Sequence, residues 1–182
     1  MRELALHILD ILQNAVEAGA TRVDLAIVED AADDQLTVTV ADNGPGIDPE
    51  ALSKVTDPFY TSRKTRHVGL GLPLWAAAAE RAGGKLTLSS APGAGTTVTA
   101  TFRLSHPDRQ PLGDIVSTLM AFLMAEHPVD IHYLHRTARG TFEFDSADIR
   151  ANLAGMPLGH RIVRKWLDEF LTEGEASIGC GG

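Results

Sequence analysis

The chain predicts an α+β fold: a two-layer α/β sandwich, with helices on one face of a mixed or antiparallel sheet, followed by a small C-terminal α/β appendage. Three observations carry this prediction. Leu4, Ile8, Ile11, Leu12, Ala15 and Val16 recur at helical spacing. Two runs, Thr21 to Val28 and Gln35 to Ala41, alternate apolar and polar residues as half-buried strands do. An alanine-rich helix over Leu70 to Ala82 then precedes a turn sequence, Pro92-Gly-Ala-Gly95, set between two more alternating runs. Helices interleaved with strands in this way cover one face of a sheet.

Taken in order, the first helix ends where Gly19 supplies a stop. The acidic stretch Glu29 to Asp34 turns the first strand into the second. Asp48 and Pro49 form a helix start, as N-cap and first-turn residue. Thr61 to His67 is polar, has little to bury and is expected to be a mobile loop. Gly83 and Gly84 close the alanine-rich helix, and Lys85 to Ser90 and Thr96 to Leu104 read as a hairpin. Composition shifts at Ser105 to Pro111, which reads as a linker and divides the chain into domains at 1–104 and 105–182. Beyond it, Leu112 to Ala125 reads as an amphipathic helix. Asp130 to Arg136 and Gly140 to Phe144 read as paired strands, and Ser146 to Leu153 and Leu158 to Leu171 as two more helices.

The 182 residues suffice for one generous domain or a domain with an appendage. Hydrophobic residues make up 44% and charged residues 22%, an ordinary globular balance. A formal net charge of −8 opposes a general role on nucleic acid or anionic membrane. No apolar run reaches the roughly 18 residues needed to span a bilayer, and the N-terminus lacks the apolar core of a secretory signal. The single cysteine, Cys180, excludes a disulfide framework within the chain. The expected setting is cytoplasmic.

The chemistry concentrates after the second strand, in Asp42-Asn-Gly-Pro-Gly-Ile47. A carboxylate there can accept a hydrogen bond from an exocyclic amine of a nucleotide base. Gly44 and Gly46 lack a Cβ and let the backbone come close. Alone, Asp-Asn-Gly is equally a turn signal between strands. Three further segments stand around it in order: the helix carrying Asn14, the run Asp57 to Leu72, and Gly93-Ala-Gly-Thr-Thr97.

In this order and spacing the four segments resemble the motifs of the GHKL superfamily: the gyrase, heat-shock-chaperone, histidine-kinase and mismatch-repair ATPases. The resemblance covers about residues 1–104 and implies the Bergerat-type ATP-binding fold of the histidine kinase-like ATPases, with ATP and Mg²⁺ as ligands. It implies that Asp42 binds the adenine amine, directly and through water with a threonine, Thr96 or alternatively Thr97. It implies that Asn14 gives an amide oxygen to Mg²⁺, a hard cation that prefers oxygen ligands. The run Asp57 to Leu72 has the appearance of an ATP lid, with Arg63, Lys64 and Arg66 as cations for polyphosphate and Lys64 the terminal-phosphate contact. Gly69, Leu70 and Gly71 open the following helix, where exposed N–H groups make an anion site.

Asp10 lies one turn before Asn14 on the same helical face. The matching position carries a glutamate in gyrase-type ATPases and anti-sigma serine kinases, and an asparagine in many histidine kinases. Asp10 has a shorter arm than that glutamate and is read as the catalytic residue, acting through a water, or else as a solvent-facing acid or an indirect contact to the metal. Only Met1-Arg2-Glu3 precedes the first helix, so no dimerisation helix pair of the sensor-kinase kind is expected. Ser105-His-Pro-Asp-Arg-Gln-Pro-Leu112 superficially resembles the phosphoacceptor box of those kinases. However, Pro107 pushes His106 out of the helical region, and the order relative to the ATPase segment is reversed. Three functions remain open: a nucleotide-switched regulator with slow hydrolysis, a protein kinase acting in trans on serine or histidine, and a non-enzymatic nucleotide-binding module. The expected partner is an unidentified regulatory protein, with a homodimer as a further option.

Overall fold

The computed structural model describes residues 3–52, 71–125 and 127–179. The elements in chain order are α1 (Leu4–Glu17), β1 (Arg22–Asp30), β2 (Gln35–Asp42), α2 (Pro49–Leu52), α3 (Gly71–Arg81), β3 (Lys85–Ser90), β4 (Thr96–Arg103), α4 (Ile115–Met124), β5 (Asp130–Thr137), β6 (Gly140–Asp145), α5 (Ser146–Asn152) and α6 (Arg161–Ser177). The six strands form one mixed sheet in the order β3-β4-β2-β1-β5-β6. All neighbours are antiparallel except β1 and β5, which run parallel from Arg22 opposite Asp130 to Val28 opposite Arg136. This is the α+β class that the alternating strands and intervening helices predict.

Alternation along each strand sorts the sheet into two faces. Val23, Leu25 and Ile27 of β1, Leu36, Val38 and Val40 of β2, and Val98, Ala100 and Phe102 of β4 are all buried beneath the helices. Leu4, Ile8, Ile11 and Leu12 of α1 and Trp75 and Ala79 of α3 meet them from above. The opposite face carries Thr37, Thr39, Thr99 and Thr101, with Thr39 and Thr99 in hydroxyl contact at 3.4 Å. A two-layer fold leaves such a face polar.

The C-terminal segment has the α/β elements expected of the appendage, but no break in the sheet marks residue 104. Strands β5 and β6 extend the same sheet from the free side of β1, and α4 and α6 bury Leu119, Leu123, Leu167 and Leu171 in the same core. The stretch read as a linker is also bound. The first amides of α1 have no partner within their own helix, and the backbone supplies two: Leu4 N donates to Pro111 O at 3.0 Å and Ala5 N to Leu112 O at 2.8 Å. Helix α6 starts later than its sequence suggests and runs longer. His160 caps it by accepting from Ile162 N at 3.4 Å. Glu175, near its far end, is buried and holds the last turns down.

That burial creates an electrostatic cluster under α6. His135 of β5 is fully buried, with Nδ1 at 2.8 Å from Glu175 and Nε2 at 3.4 Å from Glu29. Tyr133 donates its hydroxyl to the other oxygen of Glu175 at 2.7 Å. Burial opposes the imidazolium, but hydrogen bonds and charge from Glu175 and Glu29 override it and raise the His135 pKa to about 9. His7 on α1, stacked 6.0 Å from Trp75, goes the other way. Its pKa falls to about 4, because of burial above all.

These two histidines set opposite pH windows. His135 binds its proton more tightly when folded. Its contribution is complete below the ordinary value of 6.5 and is lost as pH rises through about 9. His7 binds its proton less tightly when folded, so its contribution holds above 6.5 and is lost as pH falls through about 4. Thermal unfolding followed across pH should show the midpoint declining on the alkaline side of 6.5, and His135→Gln should flatten that limb.

Candidate functional site

Strand β2 delivers Asp42 to one end of the sheet, and the register decides its surroundings. Asp42 lies opposite Val23 on one side and Thr96 on the other, so Asp42 and Thr96 share the helix-covered face. Thr97 lies opposite Ala41 and points to the open face. Of the two threonines read as candidates, Thr96 is therefore the one that stands beside the carboxylate, at a cross-strand spacing of about 4.5–5.5 Å.

The half-buried Asp42 carboxylate is fixed on one side only. Its Oδ1 accepts from Gly44 N at 2.8 Å, and Oδ2 has no partner among the described residues. A Cβ on Gly44 would stand 2.8 Å from that same Oδ1, so a side chain there would displace the acid. Gly46 takes a left-handed φ of +73°, and a Cβ on it would collide with the carbonyl of Ala91. Gly95, at φ +76°, lies with its missing Cβ against the carbonyl of Asp42. Gly93 N donates to Pro45 O at 2.7 Å. The turn after β2 and the turn between β3 and β4 therefore lock backbone to backbone. Gly46 and Gly95 thus make room for the backbone of the facing turn.

Two polar residues that the sequence did not single out fix this end of the sheet: Ser90 holds the lock, and Asn43 ties the turn after β2 to the start of β1. Ser90 Oγ accepts from Ile47 N at 2.9 Å, donates to Gly95 O at 2.8 Å and lies 2.9 Å from Thr96 Oγ1. With the Ser90 proton on Gly95, the Thr96 hydroxyl donates to Ser90 and keeps its lone pairs as acceptors. Asn43 Oδ1 accepts from Thr21 N and Arg22 N, both at 2.9 Å, and its amide donates to Thr21 Oγ1 at 2.9 Å. Neither residue bears a local signal: Ser90 is a strand-end serine, and Asn43 is indistinguishable from a turn asparagine.

Helix α1 supplies the second wall. Asp10 and Asn14 are half-buried on one face, four residues apart. Asp10 reaches the start of α3: its Oδ2 stands 2.9 Å from where a Cβ on Gly71 would sit. Asp10 therefore meets the first described residue of α3, with Asn14 one turn further along the same face of α1. Lys64, Gly69 and Leu70, with the expected lid, lie outside the described residues. Among the described residues, no group of three His, Cys, Asp or Glu side chains is gathered for a metal, and no helix is long and apolar enough to cross a membrane. A depression of about 190 Å³ lined by Glu29, Leu104, Thr137 and Arg139 lies at the opposite end of the sheet and takes no part in this site. His106 also belongs to that far end. It follows β4, whose eight residues from Thr96 to Arg103 separate it from Asp42 by about 25 Å at 3.3 Å per residue.

One end of the helix-backed sheet thus carries Asp42 beside Thr96, and Asp10 of α1 lies against Gly71 in the first turn of α3. The chain belongs to the histidine kinase-, DNA gyrase B-, and HSP90-like ATPase family, whose sequence model matches residues 2–106. It is therefore an ATP-binding domain of that family. It is 34% identical over 119 residues to the non-motile and phage-resistance protein of Caulobacter vibrioides, covering 60% of this chain and 14% of that protein. It is 40% identical over 92 residues to the sensor protein kinase FleS of Pseudomonas aeruginosa, covering 50% of this chain and 23% of the relative. The signal transduction histidine-protein kinase AtoS of Escherichia coli matches at 38% over 100 residues, 54% of this chain and 16% of the relative. The chain thus spans less than a quarter of the length of these relatives. The N-terminal domain of a DNA repair protein superposes with a TM-score of 0.58 at 15% identity, covering 79% of this chain and 52% of the other, a likeness of fold alone.

The lock between the two turns makes a contrast measurable. Alanine at Gly93 meets nothing within 4 Å and suffers only the left-handed strain, about 1–2 kcal/mol. Alanine at Gly46 adds a collision with the Ala91 backbone. Gly46→Ala should therefore lower the thermal midpoint clearly more than Gly93→Ala, at about 2–4 °C per kcal/mol for a chain of this size.

Proposed function

We propose that the chain is a cytoplasmic, Mg²⁺-dependent ATP-binding regulator that hydrolyses ATP slowly and changes its contacts with a protein partner as it does so. The observation that carries this reading is the state of Asp42. One carboxylate oxygen is pinned by Gly44 N–H, and the other is open beside Thr96. An adenine amine donates to the open oxygen, and Thr96 adds an acceptor through water. A guanine would set a carbonyl against the carboxylate and leave both unsatisfied, at a cost of about 1–3 kcal/mol.

The polyphosphate then lies toward α1 and α3. Gly71 begins α3, and the helix start offers backbone N–H groups to phosphate. Asn14 fits Mg²⁺ as a single neutral oxygen donor, a set that suits an ion completing its shell with phosphate oxygens and waters. Held by Asn14, Mg²⁺ would supply neutralisation of phosphate charge. In this reading Asp10, one turn earlier and against Gly71, takes the proton of an attacking water or hydroxyl. The relatives' names, two of them kinases, support a role in signalling and favour a second reading in which the acceptor is a partner's side chain.

Asp42→Asn preserves volume but presents an amide in place of an acceptor. Losing a charge-assisted hydrogen bond of about 1.5–3 kcal/mol should weaken ATP about ten- to hundredfold. Calorimetric titration of the folded variant checks this, and unchanged affinity would remove the adenine assignment.

The reaction is decided with γ-labelled ATP. Inorganic phosphate is the expected product, falling well beyond twofold in Asp10→Asn while binding persists. Label on an added partner protein would favour the kinase reading, and neither product would leave a binding module. Label on His106 is not expected, since that residue follows the far end of β4.

A further inference from the structure

Two buried side chains between α1 and α3 are polar and unmatched. His7 is 2% exposed, and neither of its ring nitrogens has a hydrogen-bond partner among the described residues. Trp75 is fully buried, and its indole N–H likewise has none. An apolar side chain of similar shape would pack in the place of His7 without forfeiting hydration. Interiors rarely leave such groups alone, and an internal water satisfies them where two or more polar atoms converge.

The two rings lie parallel, their planes 7° apart and their centroids at 6.0 Å. Two hydrogen bonds through one water span about 5.5–6 Å, so a single water reaches an atom of each ring. Burial holds the His7 ring neutral, and a neutral imidazole has one N–H and one bare nitrogen. The indole N–H donates to the water, and the water donates to the bare nitrogen. Its second proton has a receiver in the side-chain oxygen of Gln110, which is buried and stands near the His7 ring. An amide oxygen has two lone pairs and takes this bond whatever else it accepts. Gln110 directly precedes Pro111 and Leu112, whose carbonyls receive the first amides of α1.

This cluster lies one turn behind the candidate site on both helices. Asp10 follows His7 on one face of α1, and Gly71 precedes Trp75 on α3. The contacts between the helices therefore run from His7 and Trp75 to Asp10 and Gly71. We propose that His7 is a positioning residue for Asp10: with Trp75 and Gln110 it binds one internal water, and this bridge fixes where the Asp10 carboxylate stands against Gly71. The inference rests on the reading of Asp10 as the residue that takes the proton. Apolar contact is non-directional, whereas a hydrogen-bonded bridge has a set length and direction and gives α1 and α3 one way to meet.

His7→Phe keeps a ring against Trp75 and removes both nitrogens. Its thermal midpoint should be unchanged or higher, and ATP affinity should stay within about twofold while phosphate release falls about tenfold or more. His7→Gln, which again offers a donor and an acceptor, should recover most of that loss. In an Asp10→Asn background His7→Phe should have no further effect, because it acts through the acid. Nuclear magnetic resonance reads the bridge without turnover. The Trp75 indole N–H should show an Overhauser contact to a long-lived water that is lost in His7→Phe. The carboxyl carbon resonance of Asp10 should move in His7→Phe and return in His7→Gln. A Trp75 N–H without that water, phosphate release within about twofold of the parent in folded His7→Phe, or a loss that adds to that of Asp10→Asn would each overturn the proposal. If the parent releases no phosphate, the hydrolysis reading fails by itself, and the Asp10 resonance decides this inference: unmoved in His7→Phe, it overturns it. Should His7→Phe fail to fold, Trp75→Phe removes the indole N–H, keeps a ring and carries the same comparisons of turnover and resonance.

Discussion

The register of β2 between its two antiparallel neighbours fixes almost everything at the ATP-binding end of the molecule. Leu36, Val38 and Val40 must lie under the helices, and that parity sends Asp42 to the same side. A slip of one residue against β4 would put the whole apolar row into solvent and turn the carboxylate to the threonine-covered face. The core therefore specifies the position of the acid: several buried aliphatic side chains, each stabilising by about 1.5–3 kcal/mol, outweigh any local preference of the turn that follows.

Polar contacts then convert this coarse placement into a precise one. Ser90 ties Ile47, Gly95 and Thr96 together, and Asn43 ties the chain after β2 to the start of β1. Asp42 spends one oxygen on the backbone, so the carboxylate is oriented by its own turn. Orientation of this kind reduces the ordering cost of binding. The glycines serve the same end by letting two turns touch through their backbones.

Much of this was legible in the amino-acid sequence where the signal is local. The helical spacing of α1, the alternation of β1 and β2 and the turn between β3 and β4 all lie within short windows, and the structure contains those elements. The four ordered motifs identified the family that the sequence model matches. What could not be read is non-local. No window of residues states that β5 lies along β1, a pairing across about a hundred positions, so the C-terminal segment looked like an appendage. Whether Thr96 or Thr97 faces Asp42 depends on register parity, which the local pattern leaves open. The length of α6 depends on Glu175 finding His135 and Tyr133 in the interior, and an isolated glutamate gives no sign of that.

The backbone bonds from Leu4 to Pro111 and from Ala5 to Leu112 have a consequence for synthesis on the ribosome. Chains emerge N-terminus first, at about 5–20 residues per second. When the first hundred residues are out, the helix bearing Asp10 and Asn14 still lacks the carbonyls that receive its leading amides, and β1 still shows a bare side. Both are supplied by later residues, Pro111 and Leu112 for the helix and β5 for the strand. Helix α1 and strand β1 are therefore translated before either can be completed, and their maturation waits on a later segment.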